Sequence, residues 1–201
     1  MTQNEETLIP NVPLDYQYPE LPTGCEATAL SMLLRWAGVD VDKFEVVDQL
    51  KKGDRVHLQN GKWYGANPNE AFVGNPYEDD GSFGVFEQPI LQVINIYYPG
   101  KAINLTGKEF QDLLTIVQGG TPILVWTTLK QRETYYAQSW EDPHGQTIDW
   151  YNNEHAVVIV GYSNDDVIVH DPDTGKCEHY DRDLFIQNWA SLGKRAVTLQ
   201  R

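Results

Sequence analysis

The chain has 201 residues, of which 41% are hydrophobic and 22% are charged, a balance typical of a globular protein with a substantial core. Its 15 basic and 29 acidic residues give a formal net charge of −14, so its surface repels phosphate backbones and nucleic-acid binding is not expected. The sequence contains no run of 18 apolar residues, so no membrane span is predicted. Its first residues lack the basic and apolar regions of a signal peptide, so no leader is predicted there.

The first predicted helix follows an extended N-terminal segment. Residues 1–20 are polar and contain three prolines, so they are expected to run extended over the surface. Residues 25–37 carry leucines and alanines at helical spacing, and Gly38 follows as a stop signal. Because the other positions of this helix are also largely apolar, we expect it to be buried and central.

A long stretch without clear periodicity follows. Residues 53–88 are rich in Gly, Pro, Asn and Asp but also in aromatic residues, which favours an ordered functional loop beside the cleft over a disordered one. Helices are predicted over residues 87–97 and 107–118, the second starting with a capping box of Thr106 and Glu109.

The pattern changes to strands after Gly119-Gly120. The runs TPILVWTTL, HAVVIVGYS, DVIVHDP and RAVTLQ are short and rich in β-branched residues, and SNDD between the second and third predicts a hairpin. A short helix is predicted around residues 181–190. The layout indicates an α+β fold in one domain spanning residues 1–201, with a mainly helical part at 12–120 and an antiparallel sheet part at 121–201.

Cys25 stands between the turn PTG and the helix-forming run CEATAL. At the first turn of a helix, unpaired N–H groups and the helix dipole lower the pKa of a thiol, as nucleophilic use requires. A buried structural cysteine is the alternative. Cys177, in GKCEHY, is interpreted as a strand residue without a chemical role, and two cysteines allow at most one bridge, so the chain is not a disulfide scaffold.

Among the five histidines, His155 is the candidate base for Cys25. It opens the apolar strand HAVVIVGY, where a histidine is costly unless its ring nitrogens are satisfied, and a hydrogen-bonded structural histidine is the alternative. Solvated positions are expected for three others, namely His57, His144 and His179.

Asp171 is the candidate residue that orients His155. If residues 155–162 and 166–171 pair around SNDD, His155 and Asp171 become cross-strand neighbours within side-chain reach. A carboxylate there would hold one ring nitrogen of the imidazole and fix its tautomer. The alternative is an aspartate that initiates a turn before Pro172.

Three segments carry a family resemblance: YPELPTGCEATALSMLL, FVGNPYEDDGSFGVFEQP and EHAVVIVGYSNDDVIVHDPDTG. Together they resemble the bacterial cysteine peptidases related to the bacteriocin-leader-processing peptidases (peptidase family 39-like), which belong to the papain-like superfamily. The resemblance runs from residue 12 to the end of the chain. It implies a papain-like fold in which an N-terminal helix headed by the cysteine packs on a C-terminal antiparallel sheet, with the active site in the cleft between them.

The resemblance also implies roles for individual residues. Cys25 resembles the family's nucleophile, His155 its general base and Asp171 its orienting acid. Gln17, in DYQYP, resembles the upstream glutamine that donates to the oxyanion hole together with the cysteine N–H. Gln17 lies eight residues before Cys25, a longer gap than is general in the family, and an exposed polar loop residue is the alternative.

These residues predict a cysteine peptidase that cleaves a peptide or amide bond through a thioester, with no metal or organic cofactor. The alternatives are an amidase or acyltransferase with the same triad, and a non-catalytic peptide-binding domain. A metal site lacks the paired ligand spacing that would support it; its candidate ligands would be Cys25, Cys177, His155 and His170.

The expected partner is a peptide or amide substrate, and the sequence leaves the oligomeric state open. The location is cytoplasmic if Met1 is the native start, and extracellular or at the cell surface if a leader has been removed. Glu26 and Glu154 are direct sequence neighbours of the candidate nucleophile and base. Because neighbouring side chains point in different directions, both are expected to be solvated and to have no role in the site.

Overall fold

The computed structural model describes residues 6–201. These residues contain five α-helices: Cys25–Trp36 (α1), Lys43–Gln49 (α2), Glu87–Tyr97 (α3), Phe110–Gln118 (α4) and Arg182–Ser191 (α5). They also contain thirteen strands: Thr7–Leu8 (β1), Lys52–Gly53 (β2), His57–Gln59 (β3), Lys62–Tyr64 (β4), Phe72–Val73 (β5), Ala102–Asn104 (β6), Ile123–Thr128 (β7), Tyr135–Glu141 (β8), Thr147–Asn152 (β9), Glu154–Tyr162 (β10), Asp166–Asp171 (β11), Lys176–Asp181 (β12) and Ala196–Leu199 (β13).

A seven-stranded antiparallel sheet forms the centre of the fold. Its strand order is β12-β11-β10-β7-β13-β6, and β1 pairs with the end of β10. Every residue of β7 is buried, which fits its continuous apolar and threonine sequence. The α+β fold predicted from the sequence is confirmed, and the sheet also includes β1 and β6, which come before the predicted sheet part at 121–201.

Helix α1 is the central helix that the sequence predicts. Leu30, Leu33 and Leu34 are completely buried, and the helix packs against β10, β7 and α2. A Cβ atom at Gly24, the N-cap residue, would lie 2.6 Å from the Cβ of Leu21, so only glycine lets the preceding turn pack this closely on the helix start. The start of α1, and with it Cys25, is therefore fixed by dense packing on both sides.

The predicted hairpin forms between β10 and β11, with Val158 opposite His170. In an antiparallel pair each step along one strand matches a step back along the other, so Asp171 comes opposite Val157. His155 lies two residues from Val157 on the same face of β10. The hairpin therefore places His155 and Asp171 as diagonal neighbours on one face of the sheet.

A second, four-stranded sheet was not predicted from the sequence. Its order is β3-β4-β8-β9, and it covers a small aromatic core that includes Trp140 and Trp150. The Trp140 Nε1–H donates to the carbonyl oxygen of Ala66 at 2.8 Å. Residues 53–88 are thus held by four short strands and by their aromatic side chains rather than being irregular throughout.

The capping box predicted for α4 is wrong. The helix begins at Phe110, and Glu109 occupies the N-cap without a side-chain hydrogen bond. The hydroxyl of Thr106 instead accepts from the Ala196 N–H at 3.2 Å, because the segment before α4 runs beside β13. In residues 6–201 no helix is long and apolar enough to cross a membrane.

Candidate active site

Three of the four predicted site residues line one small cleft between α1 and the sheet. Gln17, Cys25 and His155 face this cleft, and the fourth, Asp171, contacts His155 from behind. The other residues that line the cleft are Tyr18, Pro22, Thr23, Phe83, Leu129 and Glu154. Phe83 comes from the 53–88 segment, which agrees with the expectation that this segment lies beside the cleft.

Cys25 is the first residue of α1 and is 7% exposed. Its backbone N–H stands at the first helical position, where the helix itself provides no acceptor, and it has no hydrogen-bond partner within residues 6–201. The thiol donates to Glu26 Oε2 at 3.2 Å. Within residues 6–201 no hydrogen bond joins Cys25 to His155.

The expectation of a lowered thiol pKa is wrong for this state of the site. Burial raises the pKa of the Cys25 thiol well above its usual value, and the carboxyl groups of Glu26 and Glu154 raise it further. The N–H of Ala156 acts in the opposite direction. The helix start is present as predicted, but its effect is outweighed by desolvation and by two acidic neighbours.

His155 is held by Asp171. The ring Nε2 lies 2.6 Å from Asp171 Oδ1, and both side chains are almost fully buried. This contact leaves Nδ1 as the second ring nitrogen, and in the described part of the chain Nδ1 carries no hydrogen bond. An imidazole oriented in this way has one nitrogen available to exchange a proton on the cleft side.

Asp171 is stabilised as a carboxylate by three donors. Besides the contact with His155, its Oδ1 accepts the Asp173 N–H at 2.8 Å and its Oδ2 accepts a hydrogen bond from the Tyr180 hydroxyl. Burial opposes ionisation, but the hydrogen bonds from His155, Tyr180 and the Asp173 N–H, together with the electrostatic attraction of His155, outweigh it and lower the Asp171 pKa below its ordinary value. Tyr180 is a part of this network that sequence reasoning missed, since it lies on β12 and only the strand pairing brings it to Asp171.

Gln17 is buried at 3% exposure rather than being an exposed loop residue. Its Nε2 donates to the carbonyl oxygens of Leu21 and Pro22 at 3.1 and 3.2 Å. Its backbone N–H donates to the carbonyl oxygen of Pro172 at 3.0 Å. These bonds fold the residue 17–22 turn so that the amide reaches the cleft despite the eight-residue gap to Cys25.

Glu26 and Glu154 are the residues that sequence reasoning placed wrongly. Instead of pointing away, they lie beside the thiol, and Cys25 Sγ and one carboxylate oxygen of each glutamate all fall within 4.8 Å of one another. The two carboxyl groups hydrogen-bond to each other, and burial raises the pKa of both. The two glutamates are neighbours in space because α1 and β10 pack together. The sequence around each glutamate does not reveal this packing.

The remaining histidines and Cys177 lie outside the cleft. Cys177 is exposed and stands opposite His170 in the β11–β12 pair, and His170 Nδ1 hydrogen-bonds the Pro13 carbonyl. The side chains of His144 and His179 are largely solvated, as predicted. The four residues considered as a metal set are therefore not brought together.

Comparison with known proteins agrees with this geometry. Residues 9–197 match the Peptidase_C39 like family, so the chain belongs to that family. It is 34% identical over 183 residues to the uncharacterised protein YvpB of Bacillus subtilis (strain 168), covering 91% of this chain and 71% of that protein. It also superposes with a TM-score of 0.87 on the crystal structure of a protein from Bacillus anthracis described as a "putative C39-like peptidase", at 34% identity and with 98% of both chains covered.

Proposed function

We propose that the protein is a cysteine hydrolase that cleaves a peptide or amide bond, with Cys25 as nucleophile, His155 as general base and Asp171 as orienting acid. The observation that carries the proposal is the 2.6 Å contact between His155 Nε2 and Asp171, which leaves Nδ1 to serve a cleft that Cys25 also lines. Membership of a peptidase-like family supports a peptide substrate.

The reaction follows from the positions of these groups. The thiol proton moves to His155 Nδ1 and the sulfur attacks the substrate carbonyl carbon, forming a C–S bond and an oxyanion. The Cys25 N–H and the Gln17 amide would donate to that oxyanion. Collapse breaks the C–N bond, the amine leaves with the proton from His155, and water activated by His155 then hydrolyses the thioester.

In this proposal the hydrogen bonds of the site change when substrate binds. The thiol proton lies toward Glu26 and the Gln17 amide hydrogens lie toward two backbone carbonyls, so both must turn toward the cleft when substrate binds. Apo geometries of catalytic hydrogen bonds commonly tighten only in the substrate complex.

A hydrolysis assay with a matched pair of cysteine variants tests the proposal. A mixture of peptides of defined sequence is incubated with the wild type, Cys25→Ala and Cys177→Ala, and the products are identified by mass spectrometry in ¹⁸O-labelled water. We expect cleavage with one ¹⁸O atom in the new carboxyl group, loss of cleavage in Cys25→Ala and normal cleavage in Cys177→Ala. Cleavage that survives in Cys25→Ala, or retained peptide binding without cleavage, would overturn the proposal in favour of another nucleophile or of a binding domain.

A further inference from the structure

A buried pair of carboxyl groups lies directly beside the candidate nucleophile. Glu26 is completely buried, its Oε1 accepts the Val85 N–H at 3.0 Å, and its Oε2 accepts from the Cys25 thiol at 3.2 Å. Glu154 hydrogen-bonds to Glu26, and its Oε1 is buried without a hydrogen-bond partner within residues 6–201. Two buried carboxyl groups in contact cannot both be ionised at low cost, so the pair holds a proton.

The surroundings hold this pair in place beside the thiol. A Cβ atom at Gly84 would lie 2.5 Å from Glu26 Oε1 and 3.0 Å from Glu154 Oε2, so the backbone of the 53–88 segment closes directly over both carboxyl groups. Among the described residues, Tyr18 and Arg195 are the other titratable groups that interact with the cluster, and His155, with its partner Asp171, lines the same cleft. Arg195 is already paired with Glu87, and therefore offsets only part of the negative charge.

We propose that Glu26 and Glu154 act as a proton-sharing pair that decides whether Cys25 is held as a neutral thiol or released as a thiolate to His155. The inference rests on the proposed function, because it assigns positioning residues to the same site. Neither glutamate contacts the reacting carbonyl in this scheme; both act through the sulfur.

The proton balance of the switch is explicit. With one proton on the pair, its net charge is −1, Glu26 Oε2 accepts the S–H bond and His155 is neutral. When the pair takes up a second proton from solvent, Glu26 becomes a donor toward the sulfur and the negative charge beside the thiol is removed. The thiol proton then passes to His155 Nδ1, which gives a thiolate next to an imidazolium that Asp171 holds.

The pH dependence of Cys25 alkylation by iodoacetamide tests the proposal. Modification of Cys25 and of Cys177 is followed separately by peptide mass spectrometry, with EDTA in all buffers. For the wild type we expect Cys25 to react faster at about pH 5.5 than at about pH 7.5. An ordinary thiol shows the reverse dependence, and Cys177 serves as the internal control for it. A Cys25 rate that simply rises with pH, as for a free thiol, would overturn the proposal.

The double variant Glu26→Gln/Glu154→Gln imitates the neutral pair. A glutamine at position 26 can keep the bond from the Val85 N–H while its amide N–H points at the sulfur. We expect Cys25 of this variant to be alkylated about tenfold faster or more than the wild type at about pH 7.5, and equally fast at about pH 5.5. The matched control is Asp149→Asn, which removes a nearby carboxylate that does not contact the thiol, and it should keep the wild-type profile.

The two proposals fail differently. If the wild-type protein cleaves peptides through Cys25 but its Cys25 alkylation rate is not higher at acidic pH, the role of the carboxyl pair is rejected and the proposed hydrolase function stands. If the Cys25 alkylation rate is higher at acidic pH, the double variant abolishes this difference and the protein cleaves no peptide, the role of the carboxyl pair is supported and the proposed hydrolase function is rejected. If the double variant does not fold, the wild-type alkylation profile and the single variant Glu26→Gln provide the test. We then expect Glu26→Gln to raise the Cys25 alkylation rate at about pH 7.5, as the double variant would.

Discussion

At the scale of single residues, the site depends on how each polar atom of His155 and Asp171 is occupied. Asp171 uses both carboxylate oxygens, one for His155 and the Asp173 N–H and the other for Tyr180. Hydrogen bonds to a charged group contribute about 1.5–3 kcal/mol each, so the three together hold the carboxylate ionised in a buried position. The result is an imidazole whose orientation is set by three strands, β10, β11 and β12.

Removing the Tyr180 hydroxyl tests this network. In Tyr180→Phe one oxygen of Asp171 loses its donor, so the Asp171 pKa should rise and His155 should be held less firmly. We expect kcat/KM to fall by about tenfold, with the acid limb of the pH profile moved to higher pH. Tyr136→Phe, at an exposed tyrosine on β8, is the control; an equal loss in both variants would contradict the role given to Tyr180.

The base and its orienting residue should not be equivalent. His155→Ala removes the proton acceptor, and nearly all turnover should be lost. Asp171→Asn keeps an imidazole that still accepts a proton in a poorer orientation, so a measurable fraction of turnover should remain. His170→Ala provides the comparison, because His170 contacts Pro13 instead of the cleft. A loss in His170→Ala as large as in His155→Ala would contradict the assignment of the base.

The Gln17 amide should act only in the transition state. We expect Gln17→Ala to lower turnover by about 10²–10³, with little change in substrate binding or in Cys25 alkylation. Turnover and alkylation are measured on the same preparation. Normal turnover would exclude the oxyanion role, and a simultaneous loss of alkylation would show that Gln17 instead supports the start of α1 through Leu21 and Pro22.

At the scale of elements, the parts with a clear apolar period could be predicted from the sequence. Helix α1 was expected at residues 25–37 and spans Cys25–Trp36, and the hairpin of β10 and β11 forms around SNDD as expected. The sheet of β3, β4, β8 and β9 could not be predicted in the same way. Its exposed tyrosines and charged residues give no consistent alternation, and its pairing joins segments far apart in the sequence.

The contact between α1 and β10 makes stability depend on pH. Glu26 and Glu154 have raised pKa values in the folded protein, whereas in the unfolded chain they ionise near 4.5. Above that pH the folded state therefore binds more protons than the unfolded chain. The contribution of the two glutamates to the free energy of unfolding is fully present below the unfolded pKa and is lost as the pH rises through the folded pKa values.

Thermal unfolding followed by circular dichroism measures this effect. We expect the midpoint of Glu26→Gln/Glu154→Gln to increase relative to that of the wild type as the pH is raised from about 5 to about 8, because the variant has no buried carboxyl pair to ionise. Asp149→Asn should show no such trend. A midpoint difference that is constant or decreases over this range would contradict the raised pKa values.

At the scale of the whole molecule, three candidate residues from positions 17, 25 and 155 line one cleft, and the fourth, Asp171, contacts His155 from behind. Cys25, His155 and Asp171 could be predicted because each interrupts a pattern: a thiol at a helix start, a histidine opening an apolar strand and an aspartate ending its partner. Glu26 gives no such signal, since an acidic residue in a first helical turn is ordinary. Its place beside the thiol comes from how the helix packs on the sheet, which local sequence does not determine.

Covalent labelling with a peptidyl acyloxymethyl ketone tests whether Cys25 is an activated nucleophile in a peptide-binding cleft. This probe alkylates a thiol only when the thiol is activated within a peptide-binding cleft, and the modified residue is mapped by peptide mass spectrometry. We predict stoichiometric labelling of Cys25 in the folded protein, none at the more exposed Cys177, and loss of labelling in His155→Ala, with the fold retained by circular dichroism. Labelling of Cys177 in preference to Cys25, or labelling of Cys25 that is unchanged in His155→Ala, would contradict a nucleophilic Cys25 activated by His155.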